Sequence, residues 1–291
     1  MSTSKTNTQS VRLAVAQTSL RTDPGDAAGF VAAGREIRSL MSLAHERGAD
    51  LIQFPETALC SPAKRRVSSD PDHLAEADWS KFEWSAQQAE LDKIADEAGR
   101  LGLWTVVGAL HAASDPTVVR PRISLYVFDH HGNLHARYDE RLLSATKRTY
   151  LYEAGDHPTS FKINNVRFGC AAGLEVLFPE LFSDYEAAGV DCVLFSTGGP
   201  GSDVPDSLVR PALNNAHLYE FWVTYSSVSD SAPHAAAGII APGGEWAARC
   251  SERPEPALAV AEIGPRPQGA GQDWHREMIT SYRSQRAHAA R

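Results

Sequence analysis

Apolar and polar residues alternate in blocks along the first third of the chain. The apolar run VRLAVAQT (residues 11–18) predicts a strand, and apolar residues at three-to-four spacing over about residues 26–47 predict a helix. ADLIQFPE predicts a second strand, SAQQAELDKIADEAGRLG a second helix, and LWTVVGAL a third strand rich in β-forming residues. The predicted order is therefore βαβαβ.

The pattern changes after this unit, because ISLYVFDHHGNLHARYDER places two alternating runs around a polar turn, which predicts an antiparallel hairpin. The runs that follow predict further strands and helices: strand VRFGCAAGLE, helix FPELFSDYEAAG, strand DCVLFSTG, helix DSLVRPALNNAHLYE, strand FWVTYSSV, hairpin AAGIIAPGGEWAARC and strand ALAVAEI. Such alternation favours an α/β protein with mixed sheets covered by helices, packed as two sheets. We expect one domain over residues 11–264, a disordered tail over 1–10, and a polar extension over 265–291 that is peripheral or forms a dimer contact.

Charge and composition exclude several partners. The 28 basic residues are scattered among 36 acidic ones, so no basic face for nucleic acid or an anionic membrane is expected. No apolar run reaches the roughly 18 residues of a membrane helix, and the polar start lacks the core of a secretory signal, which predicts a cytoplasmic protein. The cysteines, Cys60, Cys170, Cys192 and Cys250, have no CxxC spacing, so neither a metal site nor a disulfide framework is predicted.

Three stretches carry a family resemblance: LIQFPETAL around Glu56, ARYDERLL around Glu140, and GCAAGLEVLFPELF around Gly173. With RLAVAQT near the start and GIIAPGGE near the end, their order and spacing resemble the nitrilase, or carbon-nitrogen hydrolase, superfamily over about residues 11–263. The resemblance implies an α-β-β-α sandwich that pairs into a homodimer. It also implies cleavage of amides or nitriles by a Glu-Lys-Cys constellation, without metal or organic cofactor. In that chemistry a thiolate attacks carbon, a carboxylate moves protons and an ammonium stabilises the developing anion.

The family's catalytic positions can be carried onto this chain one by one. The general base of the family falls in the FPE turn, at Glu56. The lysine position holds Glu140, and the nucleophile position, five residues before Phe178, holds Gly173. The resemblance therefore supplies the place of the nucleophile but not the nucleophile, and ordinary cysteine-dependent amidase or nitrilase activity is not expected.

Nearby residues do not obviously fill the missing roles. Cys170 lies three positions before Gly173, and this odd offset points it to the other face of the strand, into the core. Arg141 is adjacent to Glu140 and would supply the positive charge only by swinging into the site, because adjacent strand residues face opposite ways. A supporting glutamate of the family would fall at about Arg148, with Lys147 beside it, so that carboxylate is also missing.

The leading hypothesis is that Glu56 and Glu140 act on a small nitrogen-containing metabolite by acid-base chemistry. Two neighbouring carboxylates raise the proton affinity of one of them, which gives a pair with split pKa values. The remaining candidates for substrate binding are Gly173, Glu175, Tyr138 and Trp222. Each also has an ordinary structural explanation: a turn glycine, a helix-capping carboxylate, or aromatic packing.

Two other hypotheses remain open. The first is a noncatalytic member that binds a ligand or a partner protein, because drift on a retired enzyme removes several catalytic residues together. The second is a hydrolase with a displaced nucleophile, Cys60 or Ser61, just after the Glu56 turn.

Overall fold

The computed structural model describes residues 10–70, 72–112, 120–199, 208–267 and 269–289. The described strands are β1 Val11–Gln17, β2 Leu51–Gln53, β3 Trp104–His111, β4 Arg122–Phe128, β5 Leu134–Asp139, β6 Ser160–Ile163, β7 Val166–Ala172, β8 Cys192–Ser196, β9 Trp222–Tyr225, β10 Gly238–Ala241, β11 Glu245–Arg249 and β12 Ala257–Ile263. The helices are α1 Ala27–Glu46, α2 Lys64–Val67, α3 Trp84–Leu101, α4 Pro179–Ala187, α5 Val209–Tyr219, α6 Ala232–Ala235 and α7 Ala270–Ala289. Except for Ser10, the predicted tail lies outside the described residues, as does the predicted beginning of the helix at 206.

The strands form two six-stranded mixed sheets. The first has the order β12-β1-β2-β3-β4-β5, and the second has the order β11-β10-β9-β8-β7-β6. In each sheet three neighbouring strands are parallel, β1-β2-β3 and β7-β8-β9, while the flanking strands pair antiparallel. The predicted mixed sheets are confirmed.

The core lies in three apolar layers. Strand β1 shows why: Leu13 and Val15 point between the sheets, whereas Ala14 and Ala16 point towards α1 and α3. Both faces of this strand are buried, which accounts for its nearly continuous apolar run. Helices α4 and α5 cover the second sheet with a third cluster. The layers are therefore α-β-β-α, as the resemblance implies.

The carboxyl ends of several strands meet at one edge of the sandwich. Strand β5 runs in the same direction as β2 and β3, because two antiparallel pairings separate it from β3. Across the sheets, the Gln53 amide donates to the Ser196 hydroxyl at 2.9 Å, and the Ser226 hydroxyl donates to the carbonyl of Ala16 at 2.8 Å. These bonds join the ends of both sheets, where Glu56, Glu140 and Gly173 lie.

Two elements differ from the sequence prediction. Strand β6 pairs with β7 through a tight turn in which Asn164 has a φ of 51°, and the sequence patterns did not predict this hairpin. The polar extension contains a 20-residue helix, α7, although its role as a peripheral segment or dimer contact stays a prediction. None of the described helices is long and apolar enough to cross a membrane.

Candidate active site

Glu56 lies in the turn that follows β2. The turn packs closely on β3, because a Cβ atom at Gly108 would lie 2.2 Å from the Pro55 carbonyl oxygen and 2.8 Å from the Cα of Glu56. A glycine is therefore required at position 108. Thr57, the next residue after Glu56, adopts a φ of 50°, in the left-handed region. Together these features hold the Glu56 carboxylate at the edge of the sandwich.

Glu140 directly follows β5. Its backbone N–H donates to the carbonyl of Ile123 at 2.9 Å, and its own carbonyl accepts from the N–H of Gly155 at 2.8 Å. The side chain is completely buried. The structure brings this carboxylate together with Glu56, as the sequence predicts, but not as an isolated pair.

Lys147 stands between the two carboxylates. It begins the single π-helical turn Lys147–Leu151, and its ammonium donates to Oε1 of Glu56 at 2.6 Å and to Oε2 of Glu140 at 2.7 Å. Sequence reasoning noticed Lys147 only as the neighbour of Arg148 and gave it no role. The available signal was the family spacing counted back from Gly155. This spacing leads to the segment that contains Lys147, but the family pattern expects a carboxylate there and not a cation.

Glu56, Glu140 and Lys147 form a charged cluster, and Gly173 borders it. It follows β7 with a φ of 59°, and its N–H donates to the carbonyl of Ser196 at 3.0 Å. A Cβ atom placed on it would lie 2.2 Å from Oε1 of Glu140 and 2.9 Å from the Lys147 nitrogen. Glu140 therefore occupies the space that any side chain at position 173 would need.

Glu175 lies immediately behind the cluster. Its Oε1 accepts from the N–H groups of Arg141 and Leu142 at 2.7 and 3.1 Å. Its Oε2 accepts from the N–H of Ala172 at 2.8 Å and from the Tyr138 hydroxyl. Because these donors belong to the segments that carry Glu140 and Gly173, Glu175 clamps the two segments together.

Tyr138 and Trp222 lie farther from the cluster. Tyr138 is completely buried among the apolar side chains between the sheets, and its hydroxyl points to Glu175. Trp222 starts β9 and pairs with Cys192 at the beginning of β8, whereas Gly173 follows the residue that pairs with Ser196 at the end of β8. At about 3.3 Å per residue, roughly 13 Å of strand separates these two levels. The structure therefore groups Glu56, Glu140 and Gly173, and does not bring Trp222 to them.

Arg141 also points away from the cluster. Its Nε donates to the Tyr138 hydroxyl at 3.3 Å, and the guanidinium lies over the Tyr138 ring. The cation of the cluster is Lys147.

Burial and neighbouring charges shift the protonation of the cluster in opposite directions. Burial is the main cause that raises the pKa of Glu140 from its ordinary 4.5 to about 8; the charges of Glu56 and Glu175 also raise this pKa, and the Lys147 ammonium opposes them. Burial alone would lower the pKa of Lys147, but the two carboxylates outweigh it and raise that pKa. The two carboxylates thus favour the ammonium form of Lys147, and burial favours the protonated form of Glu140.

The four cysteines contribute no thiolate to this cluster. All are buried, and burial raises the pKa of Cys60, Cys170 and Cys250 to about 12 and that of Cys192 as well. Cys170 lies between the sheets, as its odd offset from Gly173 predicts. The Cys60 thiol donates to the Asp23 carbonyl rather than to a cluster residue.

A cavity of about 440 Å³ adjoins Cys60, lined also by Arg21, Asp23, Asp26 and Phe30, and none of the cluster residues lines it. Within the described ranges, no group of three or more histidine, cysteine or acidic side chains is arranged to hold a metal ion.

The chain resembles solved structures of an amidase of the nitrilase superfamily from Nesterenkonia sp. AN1. One of them, a glutamate-to-glutamine mutant with acrylamide added at its active-site cysteine, is 18% identical, with a TM-score of 0.68 and coverage of 94% of this chain and 99% of the other. A second, a cysteine-to-alanine mutant in complex with butyramide, is 18% identical, with a TM-score of 0.65 and coverage of 87% and 91%.

At this identity the structural likeness shows the fold alone. A search of curated protein sequences gives no match. The family model described as carbon-nitrogen hydrolase matches residues 12–270, nearly the whole folded chain. The chain therefore belongs to the carbon-nitrogen hydrolase family.

Proposed function

We propose that this chain binds and transforms a small nitrogen-containing compound at the Glu56–Lys147 end of the cluster, without a thiol nucleophile. The observation that carries the proposal is the position of Lys147, held between two carboxylates directly beside a residue that has no side chain. Ordinary cysteine-dependent amidase or nitrilase activity is accordingly not expected.

Exposure distinguishes the groups that can touch a ligand. The side chains of Lys147 and Glu56 are 16% and 7% exposed, whereas that of Glu140 is 0% exposed. An ammonium has three donors, and the described residues provide acceptors for two of those of Lys147. They provide no donor to Oε2 of Glu56, whose Oε1 is bound to Lys147. Among the described residues, one donor of Lys147 and Oε2 of Glu56 thus lack a protein partner, which suits a ligand that carries both an acceptor atom and an N–H group, such as an amide.

The roles follow from this arrangement. Glu56 takes or returns the ligand proton, and the Lys147 ammonium stabilises negative charge that develops on the ligand's acceptor atom. Glu140 does not contact the ligand. It accepts a hydrogen bond from the Lys147 ammonium and holds that group in place, so it acts as a positioning residue. Proton transfer, dehydration and ring closure are the reaction classes that these groups serve without a covalent intermediate.

Binding without turnover is the second candidate. It is favoured by the complete burial of Glu140, which fills the position from which a nucleophile would act. Such a chain would bind the same class of compound and release it unchanged.

One experiment separates the two candidates. Small amides, ureas, nitriles and lactams are incubated with the wild type, Glu56→Gln and Lys147→Met, and the products are followed by mass spectrometry and binding by thermal shift. Conversion by the wild type alone supports acid-base catalysis, and stabilisation without any mass change supports binding. Equal conversion by Glu56→Gln would rule out the proposed base. Lys93→Met, which removes a lysine with a 53% exposed side chain, is the matched control.

A displaced nucleophile is tested in the same assay by Cys60→Ala and Ser61→Ala. We expect Cys60→Ala to keep any activity of the wild type, because the Cys60 thiol is buried with a pKa raised to about 12. Ser61→Ala tests the second candidate in the same way. Loss of activity in either variant would restore that hypothesis.

The homodimer is also a proposal. It is supported by three apolar side chains of α7, Trp274, Met278 and Tyr282, which are 63%, 49% and 55% exposed. Sedimentation of the full chain and of a chain ending at residue 268 tests whether α7 contributes to pairing.

A further inference from the structure

The glycine at position 173 admits two physical explanations. Its φ of 59° lies in the left-handed region, where a side chain is strained wherever it points. Its missing Cβ also leaves room for Glu140, because the ideal Cβ would lie only 2.2 Å from Oε1 of that carboxylate. The first explanation concerns the turn alone, whereas the second links the turn to the charged cluster.

Glycines elsewhere in the chain separate the two explanations. Gly102 and Gly189 have φ values of 65° and 68°, close to that of Gly173, but a Cβ at either would have no atom within 4 Å. At these two positions a side chain would be strained by the positive φ but would meet no neighbouring atom. At position 173 a side chain would be strained by the positive φ and would also overlap with Glu140.

The cluster cannot easily move to make room. The atom in the way is Oε1 of a completely buried side chain, and the other oxygen of that carboxylate is bound to Lys147 at 2.7 Å. Lys147 is itself bound to Glu56 at 2.6 Å. Displacing Glu140 therefore disturbs two ion pairs in a buried site.

We infer that positions 140, 147 and 173 form one interdependent unit, in which a carboxylate at 140 and a side chain at 173 exclude each other. Glu140 takes the space of a nucleophile at 173, and Lys147 is the cation that this carboxylate requires. This interdependence of the three positions goes beyond the proposed function and holds whether or not the chain converts a compound. A cysteine at 173 is compatible with this fold only if the charges at 140 and 147 change with it.

A double-mutant cycle in thermal unfolding tests the steric part. Gly173→Ala is expected to lower the midpoint by about 5 °C more than Gly189→Ala, since overpacking adds to the shared conformational cost. In a Glu140→Ala background the extra loss should disappear. An extra loss that persists in that background, or a Gly173→Ala cost no larger than that of Gly189→Ala, would overturn the inference. The comparison with Gly189→Ala decides even if the double variant does not fold.

The chemical part is tested by rebuilding a thiol site. Gly173→Cys alone is compared with the triple variant Gly173→Cys, Glu140→Lys and Lys147→Glu, which exchanges the two charges and keeps their sum. Both are treated with acrylamide, and addition to the new cysteine is followed by intact-protein mass spectrometry. We expect the triple variant to react at least about tenfold faster and to unfold at a higher temperature than the single variant. Equal reactivity and stability of the two would contradict the interdependence of these positions. The steric cycle measures stability only, so it remains informative if the proposed function fails.

Discussion

Two buried carboxylates in neighbouring segments of this protein have very different surroundings. Glu140 and Glu175 are both completely inaccessible to solvent. Glu175 accepts four hydrogen bonds from backbone and tyrosine donors, whereas Glu140 has a single partner, Lys147, and its Oε1 has none among the described residues. Burial raises the pKa of both.

The difference separates a structural carboxylate from one that depends on a cation. Buried polar groups are normally satisfied by hydrogen bonds, and Glu175 follows this rule with neutral donors that stay in place at any pH near neutral. Glu140 does not follow this rule, because its Oε1 has no hydrogen-bond donor among the described residues. Its interaction with Lys147 also depends on whether Glu140 is ionised and Lys147 is protonated. Incompletely satisfied buried charges of this kind are typical of functional sites.

Removal of Lys147 should have the largest effect. Lys147→Met leaves Glu56 and Glu140 without a counter-charge in a buried site, where breaking an ion pair costs about 3–5 kcal/mol. The free energy of unfolding, measured in urea at pH 8, is expected to fall by this amount. The loss should be smaller at low pH, where Glu140 is protonated in both proteins.

Lys93→Met is the control for that experiment. Lys93 also pairs with a buried glutamate, Glu90, but its side chain is 53% exposed and Glu90 keeps Arg38 at 2.6 Å. Exposed pairs contribute about 0–1 kcal/mol, so this variant should unfold almost as the wild type does. Equal losses in the two lysine variants would show that the cluster is not a special electrostatic site.

The second largest effect is expected for Glu175→Gln. The substituted amide has one acceptor and one donor group, so two of the four donors now facing Glu175 lose their acceptor. Leaving buried donors unsatisfied costs about 1–3 kcal/mol. The free energy of unfolding, measured by urea titration at pH 8, should fall by about 2–3 kcal/mol. An unchanged free energy of unfolding would show that the four donors do not depend on this carboxylate.

Particular residues show how far sequence could lead to this site. The FPE turn, the strand patterns and the ordered stretches led to Glu56, Glu140 and Gly173, which the structure places at one edge of a two-sheet sandwich, and their functional roles stay predictions. Lys147 was missed because the pairing of its ammonium depends on the path of a π-helical turn, which no local pattern specifies. Trp222 was selected because it is an aromatic residue in a predicted strand. Its distance from the cluster depends on the register between β8 and β9, which the sequence of one strand does not give.

The pH dependence should distinguish the two carboxylates more finely. The folded-state pKa of Glu140 is raised from 4.5 to about 8, so between these values the folded protein binds this proton more tightly than the unfolded chain does. Its contribution to stability therefore decreases as pH rises through this window. The groups facing it are Glu56, Lys147 and Glu175, and Lys147, with its raised pKa, stays protonated throughout.

Glu140→Gln removes this titration while keeping the shape of the protonated acid. Relative to the wild type, the variant should become more stable as pH rises from 5 to 8. Groups common to both proteins, such as His111 with its pKa lowered mainly by burial, cancel in the difference. A difference that is constant over this range would show that Glu140 remains ionised beside Lys147.

The smallest effect is expected for Tyr138→Phe, which removes one of the four donors to Glu175. Three backbone N–H groups remain on that carboxylate, so the loss in the free energy of unfolding should be only about 1 kcal/mol. The same variant bears on the prediction that Tyr138 binds substrate: because its ring is completely buried between the sheets, the apparent affinity for any ligand of the cluster should stay unchanged. A ligand affinity that falls more than the stability does would place Tyr138 in the binding site.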